Sequence, residues 1–291
     1  MSPTQAIPVQ IADASTGKLS PCQDLVVTED PLTIEVEYGP EFERRREIFA
    51  TTMRTPGNDL ELAIGLLFSE GVISGPKDVF FAKEMCPGCD EDRGISRVLI
   101  ALPPGKVFNP QDHQRNLLIS SSCGICGKID LSKIQKLKDQ KTPNRHPKAI
   151  CNTEHESHYL AQLSQSVREK QILFKHTGSV HAAALFDPHG NILSVREDVG
   201  RHNAMDKLIG GLVYQPNLLS QVSGVFFSGR TSYELIQKSI VAGISLVVSV
   251  GAPSSLAISL AEAGGITLAG FLKPNRYNIY THSERIKQPA P

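Results

Sequence analysis

From residue 180 onward the chain alternates apolar runs with amphipathic stretches. "VHAAALF" and "ILSVRE", joined by the turn-forming "DPHGN", predict a β-hairpin. A helix over about 202–212 follows, then the strand "GVFFS" (224–228) and the helix "SYELIQKSIVAG". The strand "ISLVVSV", the helix "SSLAISLAEAGG" and the strand "ITLAGF" complete the pattern. Ahead of the hairpin, "TEHE" offers a capping box, Thr153 with Glu156, for a helix running to about Lys170. The strands after the hairpin are nearly all apolar, as expected where both sheet faces are covered. The order α-β-β-α-β-α-β-α-β therefore predicts a three-layer α/β/α sandwich on a mixed sheet, with right-handed crossovers.

The first half is less regular. In "LTIEVEY", Ile34, Val36 and Tyr38 alternate with Thr33, Glu35 and Glu37, as in a half-buried strand. "MRTPGNDLELAIGLLFSEGVI" predicts a helix capped by Asn58 or Asp59. Its apolar face is Leu60, Ala63, Ile64 and Leu67, and Gly71 ends it. "RVLIAL" (97–102) reads as a second strand, making a small α+β unit. Residues 1–21 carry Pro, Ser, Thr and Gly without periodicity and read as a flexible tail. Residues 22–127 form the N-terminal α+β domain, ending in the loop "SSSCGICG". Residues 128–150 read as a basic helix and linker: Lys128, Lys133, Lys136, Lys138, Lys141, Arg145 and Lys148 face only Asp130 and Asp139. Residues 151–291 are the second domain, and no internal repeat is visible.

Composition narrows the function classes. Of 291 residues, 40% are hydrophobic and 21% charged, ordinary for a globular protein. The formal net charge is zero, which gives no reason to expect nucleic acid or an acidic membrane as partner. The first twenty residues lack the basic start and apolar run of a secretory signal. No stretch reaches the roughly 18 apolar residues of a membrane helix. The chain reads as cytoplasmic, and its six cysteines as reduced thiols. In that setting a CxxC pair points to metal binding or to redox and sulfur chemistry.

In sheets of the predicted kind, ligands bind beyond the carboxyl ends of the strands, where helix N-termini point outward. The loops at that edge are "REDVGRH", "SGRTS", "GAPSS" and "GFLKPNR". They carry Arg196, Arg201, Arg230, Lys273 and Arg276, which are expected to converge on phosphates. Ser228 opens the second loop, and His202 sits on the first turn of a helix. His181, Glu197 and Asp198 lie close by; either acid is suited to hold a ligand N–H or to pair with Arg201. Ordinary N-capping with scattered surface Arg is the plainer alternative. No GxGxxG and no GxxxxGK[ST] is present, so neither a standard dinucleotide site nor an ATPase P-loop is supported.

Two cysteine pairs leave two readings open. Cys86, Cys89, Cys123 and Cys126 can form a four-thiolate zinc site, although the spacing between pairs exceeds that of a compact zinc ribbon. Alternatively the Cys123 pair does chemistry. Lys128, Lys133 and a helix start after Gly127 would stabilise a thiolate. Small neighbours leave the sulfur accessible, and Gly124 and Gly127 permit the backbone to move. Such a thiol can form a disulfide with Cys126 or carry a persulfide. Cys22 and Cys151 are isolated.

Taken together, "SSCGICG", "TGSVHAAAL", "REDVGRHNAMDKLIG", "SGRTSYELIQKS", "GFLKPNR" and "YTH" resemble the FdhD/NarQ family, the formate dehydrogenase accessory sulfurtransferases. The resemblance implies a cytidine-deaminase-like fold for the second domain. It also implies loss of deaminase chemistry, because "GRHNAMD" and "SGRTSYE" stand where the zinc ligands of HxE and PCxxC would be. The implied activity is sulfur transfer. A cysteine desulfurase would load Cys123 as a persulfide, with Cys126 assisting. The sulfur would pass to the molybdenum or tungsten bis-pyranopterin guanine dinucleotide cofactor, bound as substrate, for the formate dehydrogenase catalytic subunit. The family's cofactor segment maps onto Phe271, Leu272, Lys273, Pro274, Asn275 and Arg276, beside Ser228, Arg230, Arg201 and His202. A GDP-like nucleotide is expected to fit the same site, and a homodimer is implied. "CPGC" at 86–89 is outside the family signature and keeps a structural zinc site as an alternative. A cofactor chaperone without sulfur chemistry is the other.

Overall fold

The computed structural model describes residues 2–85, 95–110, 118–119 and 155–287. The chain opens with a hairpin, β1 (Thr4–Ala12) antiparallel to β2 (Leu19–Val27), with Thr4 opposite Val27 and Ala12 opposite Leu19. This replaces the flexible tail expected for residues 1–21. The turn supplies the missing order. Asp13 Oδ1 accepts from the Ser15 N–H (2.8 Å), the Ser15 hydroxyl (2.6 Å) and the Thr16 N–H (3.0 Å). Those bonds, the Ser15 hydroxyl first, hold the Asp13 carboxyl at about 2.

The next elements build a five-stranded sheet. They are β3 (Asp30–Tyr38), β4 (Arg45–Arg54), helix α1 (Asp59–Ser69), β5 (Phe81–Met85), β6 (Ser96–Ala101) and the short β7 (Leu118–Ile119). The sheet order is β5-β6-β3-β4-β7, with β6 parallel to the central β3. Helix α1 does not use Asn58 as a side-chain cap. Asn58 takes left-handed backbone, φ 58°, and makes no cap bond, while the Asp59 carboxylate is held by Arg54. Leu62, Ala63, Ile64, Leu66 and Leu67 are all buried, so α1 is covered almost all round.

The second half forms a six-stranded mixed sheet. After β8 (His155–Glu156) come α2 (Ser157–Lys170), α3 (Ile172–Thr177), β9 (His181–Phe186), β10 (Ile192–Asp198) and α4 (Arg201–Tyr214). They are followed by α5 (Pro216–Leu219), β11 (Gly224–Phe227), α6 (Tyr233–Val241), β12 (Leu246–Ser249) and α7 (Ser255–Ala263). Last come β13 (Thr267–Lys273), β14 (Arg276–Thr281) and β15 (Ile286–Lys287), which pairs with β8. The order β10-β9-β11-β12-β13-β14 places three parallel strands, β11 to β13, inside antiparallel flanks. The expected element order holds, with β8, α3, α5, β14 and β15 added. Glu156 lies in β8 rather than in a capping box, and Thr153 lies outside the described residues.

The period-2 alternation of the apolar strands feeds two cores. Ala182, Ala184, Phe186, Phe226, Leu246 and Val248 point to α2, where Leu160, Leu163 and Val167 meet them. Ala183, Leu185, Val225, Phe227, Val247 and Leu268 point the other way, to α4, α6 and α7. That second core continues through α1 into Leu32, Ile34, Val98 and Ile100 of the five-stranded sheet. The two sheets therefore share one apolar interior, joined where α1 crosses α4. Gly65 and Gly210 make the crossing close: a Cβ on Gly65 would run into the Asp206 carbonyl, and one on Gly210 into that of Glu61.

Candidate functional site

The site rests on a polar seam between the two halves. Asp198, the last residue of β10, is fully buried, and its carboxylate is saturated. Oδ2 meets Lys207 Nζ at 2.7 Å and the Thr55 N–H at 3.1 Å. Oδ1 accepts from the Gly200 N–H at 2.8 Å and Asn203 Nδ2 at 3.1 Å. Burial pushes the Asp198 carboxyl upward against the pull of Lys207. Lys207 also donates to the Thr55 carbonyl (2.8 Å), and Asn203 to that of Met53 (2.7 Å). The "MRTPGND" turn is thus tied to the start of α4. Neither acid proposed for a ligand is free to hold one. Asp198 is committed to Lys207, and Glu197 accepts the Leu173 and Phe174 N–H groups, both at 2.9 Å, at the start of α3. Arg196 also leaves the expected phosphate cluster, because Glu61 of α1 takes its guanidinium, with Nη2 at 2.7 Å from Oε1. These seam residues were missed as a set. Their signal was Asn203, Asp206 and Lys207 set among the apolar residues of "NAMDKLIGGLV".

Above the seam, the predicted edge loops interlock. The Gly251 N–H donates to Gly229 (3.0 Å), Thr231 to Ala252 (3.3 Å), Ser254 to Thr231 (3.0 Å) and Phe271 to Gly251 (3.2 Å). His202 Nε2 lies 3.1 Å from the Ser232 hydroxyl, which joins the start of α4 to the start of α6. Ser254 caps α7 by accepting from the Ala257 N–H at 3.2 Å, whereas α4 and α6 have no side-chain cap. The Ser228 hydroxyl accepts from the Ala182 N–H at 2.8 Å and so extends the β11–β9 ladder.

The electrostatics of this edge favour an anion. Burial depresses His202 to about 4, helped by Arg201 and Lys238 and opposed by Glu234. Burial likewise lowers His181, followed by the charges of Arg201 and Arg230. Both imidazoles are therefore neutral near pH 7, and the same guanidinium charges attract a phosphate. Two donors await a partner: Arg201 Nε and the Thr231 hydroxyl are buried without a hydrogen bond among the described residues. Phe271 adds backbone strain, with φ 53° in a side chain 45% exposed. Leu272 anchors the β13–β14 turn in the core beneath α2, leaving Lys273, Asn275 and Arg276 exposed. Beside Pro274, His181 and Ser228 opens a cavity of about 660 Å³.

Cys86, Cys89, Cys123, Cys126, Cys151 and the basic run 128–148 lie outside the described residues. Cys22 is an exposed free thiol on β2. No helix among the described residues is long and apolar enough to cross a membrane.

The model of the FdhD/NarQ family matches residues 27–287. The chain belongs to the FdhD/NarQ family. The protein called "Sulfur carrier protein FdhD" in Mycolicibacterium paratuberculosis is 39% identical over 279 residues, covering 95% of this chain and 97% of that one. Its namesake in Saccharolobus solfataricus is 38% identical over 278 residues, 96% of each chain. The crystal structure of a putative formate dehydrogenase accessory protein from Desulfotalea psychrophila shares the fold. Its TM-score is 0.69 at 19% identity, covering 98% of this chain and 99% of that one. The expected family and the α/β fold class are both borne out.

Proposed function

We propose that this FdhD/NarQ member is a sulfur carrier that serves formate dehydrogenase. The near-full-length match to proteins called sulfur carriers carries the reading. Cys123 is the carrier. Its thiolate attacks the outer sulfur of a cysteine desulfurase persulfide. The donor's S–S bond breaks, the donor leaves as a thiolate, and a persulfide forms on Cys123. Release as sulfide needs two electrons. Cys126 supplies them by attacking the inner sulfur, which leaves a Cys123–Cys126 disulfide for a dithiol reductant to reset.

The recipient is the molybdenum or tungsten bis-pyranopterin guanine dinucleotide, bound as substrate before delivery to the formate dehydrogenase catalytic subunit. The edge fits such a guest. The N-termini of α4 and α6, which have no side-chain cap, together with the charges of Arg201 and Arg230, suit its phosphates. Phe271 to Arg276 form the hairpin alongside. The chain works in the cytoplasm as a homodimer.

The test is to incubate the protein with a cysteine desulfurase and cysteine, then weigh the intact chain. One added sulfur atom is expected on wild type and none on Cys123→Ala. Undiminished loading of Cys123→Ala would remove that residue from its role.

A further inference from the structure

Strand β7 is short, but it holds the last described residues ahead of the "SSCGICG" stretch. It pairs parallel with β4, Leu118 opposite Thr51 and Ile119 opposite Thr52. Parallel neighbours point the same way. The end of β7 therefore faces the same direction as the end of β4, where Met53 and the "RTPGND" turn lie. Cys123 follows Ile119 by four positions. Four residues of fully extended chain span at most about 14 Å. The β4–β7 register thus fixes the point from which the thiol is tethered.

One side chain holds that end of β4. Asn203, in the first turn of α4 and 5% exposed, binds two consecutive β4 residues. Its Oδ1 accepts from the Thr52 hydroxyl at 3.3 Å, and its Nδ2 donates to the Met53 carbonyl at 2.7 Å. Nδ2 also donates to Asp198 Oδ1 at 3.1 Å, which ties the amide to the loop ahead of α4. Donors and acceptor are both engaged, so the amide plane is fixed. Thr52 is at once the partner of Asn203 and the β4 residue opposite Ile119. A continuous chain of bonded groups therefore runs from the start of α4, where Arg201 and His202 sit, to the strand that leads to Cys123.

We infer that Asn203 is a positioning residue for sulfur transfer. It holds β4, and through the Thr52–Ile119 register β7, against the start of α4, so that the carrier thiol is presented to the anion-favouring edge. The inference rests on the reading of Cys123 as the carrier. Asn203 acts through β4 and touches neither the sulfur nor the guest. Loading from a separate protein does not require the thiol to face this edge, whereas delivery to a guest bound there does. The two steps should respond differently when the anchor is cut.

Three variants of the full chain test this: Asn203→Ala, Thr52→Val, which removes the hydroxyl and keeps the shape, and the two combined. Thr51→Val is the control, because its hydroxyl meets Thr33 Oγ1 at 3.3 Å on the other side of the strand. Loading is read by intact mass after incubation with a cysteine desulfurase and cysteine. Transfer is read as formate dehydrogenase activity, per amount of soluble variant, in cells whose own copy is deleted. Asn203→Ala should load within about twofold of wild type and transfer about tenfold less, since small misplacements made far from the chemistry are costly. Thr52→Val should show a smaller loss of the same kind. The double variant should be no worse than Asn203→Ala, because both substitutions cut one connection. Thr51→Val should match wild type. Undiminished transfer by Asn203→Ala, loading lost in parallel with transfer, or fully additive losses in the double variant overturns the proposal. Absence of loading in wild type overturns the carrier reading itself, and the proposal falls with it.

Discussion

The seam between the two sheets and the edge above it are built from the same residue types, but they balance their polar groups in opposite ways. At the seam, Asp198, Lys207, Asn203 and Thr55 satisfy one another, and Asp206 is held by Lys238 at 2.7 and 2.9 Å and by Ser69 at 3.0 Å. At the edge, Arg201 Nε and the Thr231 hydroxyl are buried without a hydrogen-bond partner among the described residues. A closed network of buried charges fixes architecture. A buried donor without a protein partner leaves the edge less tightly fixed than the seam. The two regions share helix α4: its first turn faces the edge, and its next turns carry the seam.

The largest expected effect breaks the seam. Lys207 is 1% exposed and neutralises the fully buried Asp198 carboxylate. Lys207→Met should cost about 3–5 kcal/mol, because it strands a buried charge. Denaturant unfolding measures the loss. Adding Asp198→Asn to the same chain should recover part of it. A loss below about 1 kcal/mol would show that the seam does not hold the halves together.

The edge responds to acid. His202 falls to about 4 in the folded chain through burial and the Arg201 and Lys238 charges, against an ordinary value of 6.5. The unfolded chain therefore takes up a proton first as pH drops. Stability is full above about 6.5 and declines progressively toward pH 4, by up to roughly 3 kcal/mol. His181 is shifted the same way by burial and adds to the slope. Replacing His202 with Gln should flatten the profile over that window. An unchanged slope would mean that water reaches the ring in the folded state.

The crossing of α1 and α4 gives a smaller effect. Gly210→Ala drives a Cβ into the Glu61 carbonyl and should cost about 2 kcal/mol, as overpacking typically does. Gly211→Ala is its control. There the nearest atoms are Arg196 and Glu61 side-chain groups at 3.5 Å, so little change is expected.

The contrast also explains what was legible in the sequence. Apolar runs such as "HAAALF" and "ISLVVSV" announce strands covered on both faces, and the six-stranded sheet follows from them. Strand β4, "RREIFATTMR", hides because Thr52 and Arg54 are buried polar residues that read as surface. The hairpin β1–β2 hides because its faces stay largely exposed, so no strong period marks them. That Arg201 and Arg230 come together near His181 is readable from their loops. Arg196 was misjudged because its partner, Glu61, lies in the other half of the chain.

The smallest expected effect sharpens the comparison most, because it asks whether the edge gives up stability for function. Phe271 sits at φ 53°, where an aromatic residue is strained by about 1 kcal/mol or more, and its ring is 45% exposed. Its N–H bond to Gly251 is a backbone interaction that glycine can also make. Phe271→Gly relieves the strain but gives the unfolded chain more freedom, worth roughly 0.5–1 kcal/mol in the opposite direction. The two nearly cancel, so the melting temperature should hardly move. If the exposed ring stacks on a bound base or pterin, guanine nucleotide affinity should still fall severalfold. A drop in stability of several kcal/mol with affinity intact would reverse the assignment, making Phe271 part of the architecture and moving it to the seam's side of the comparison.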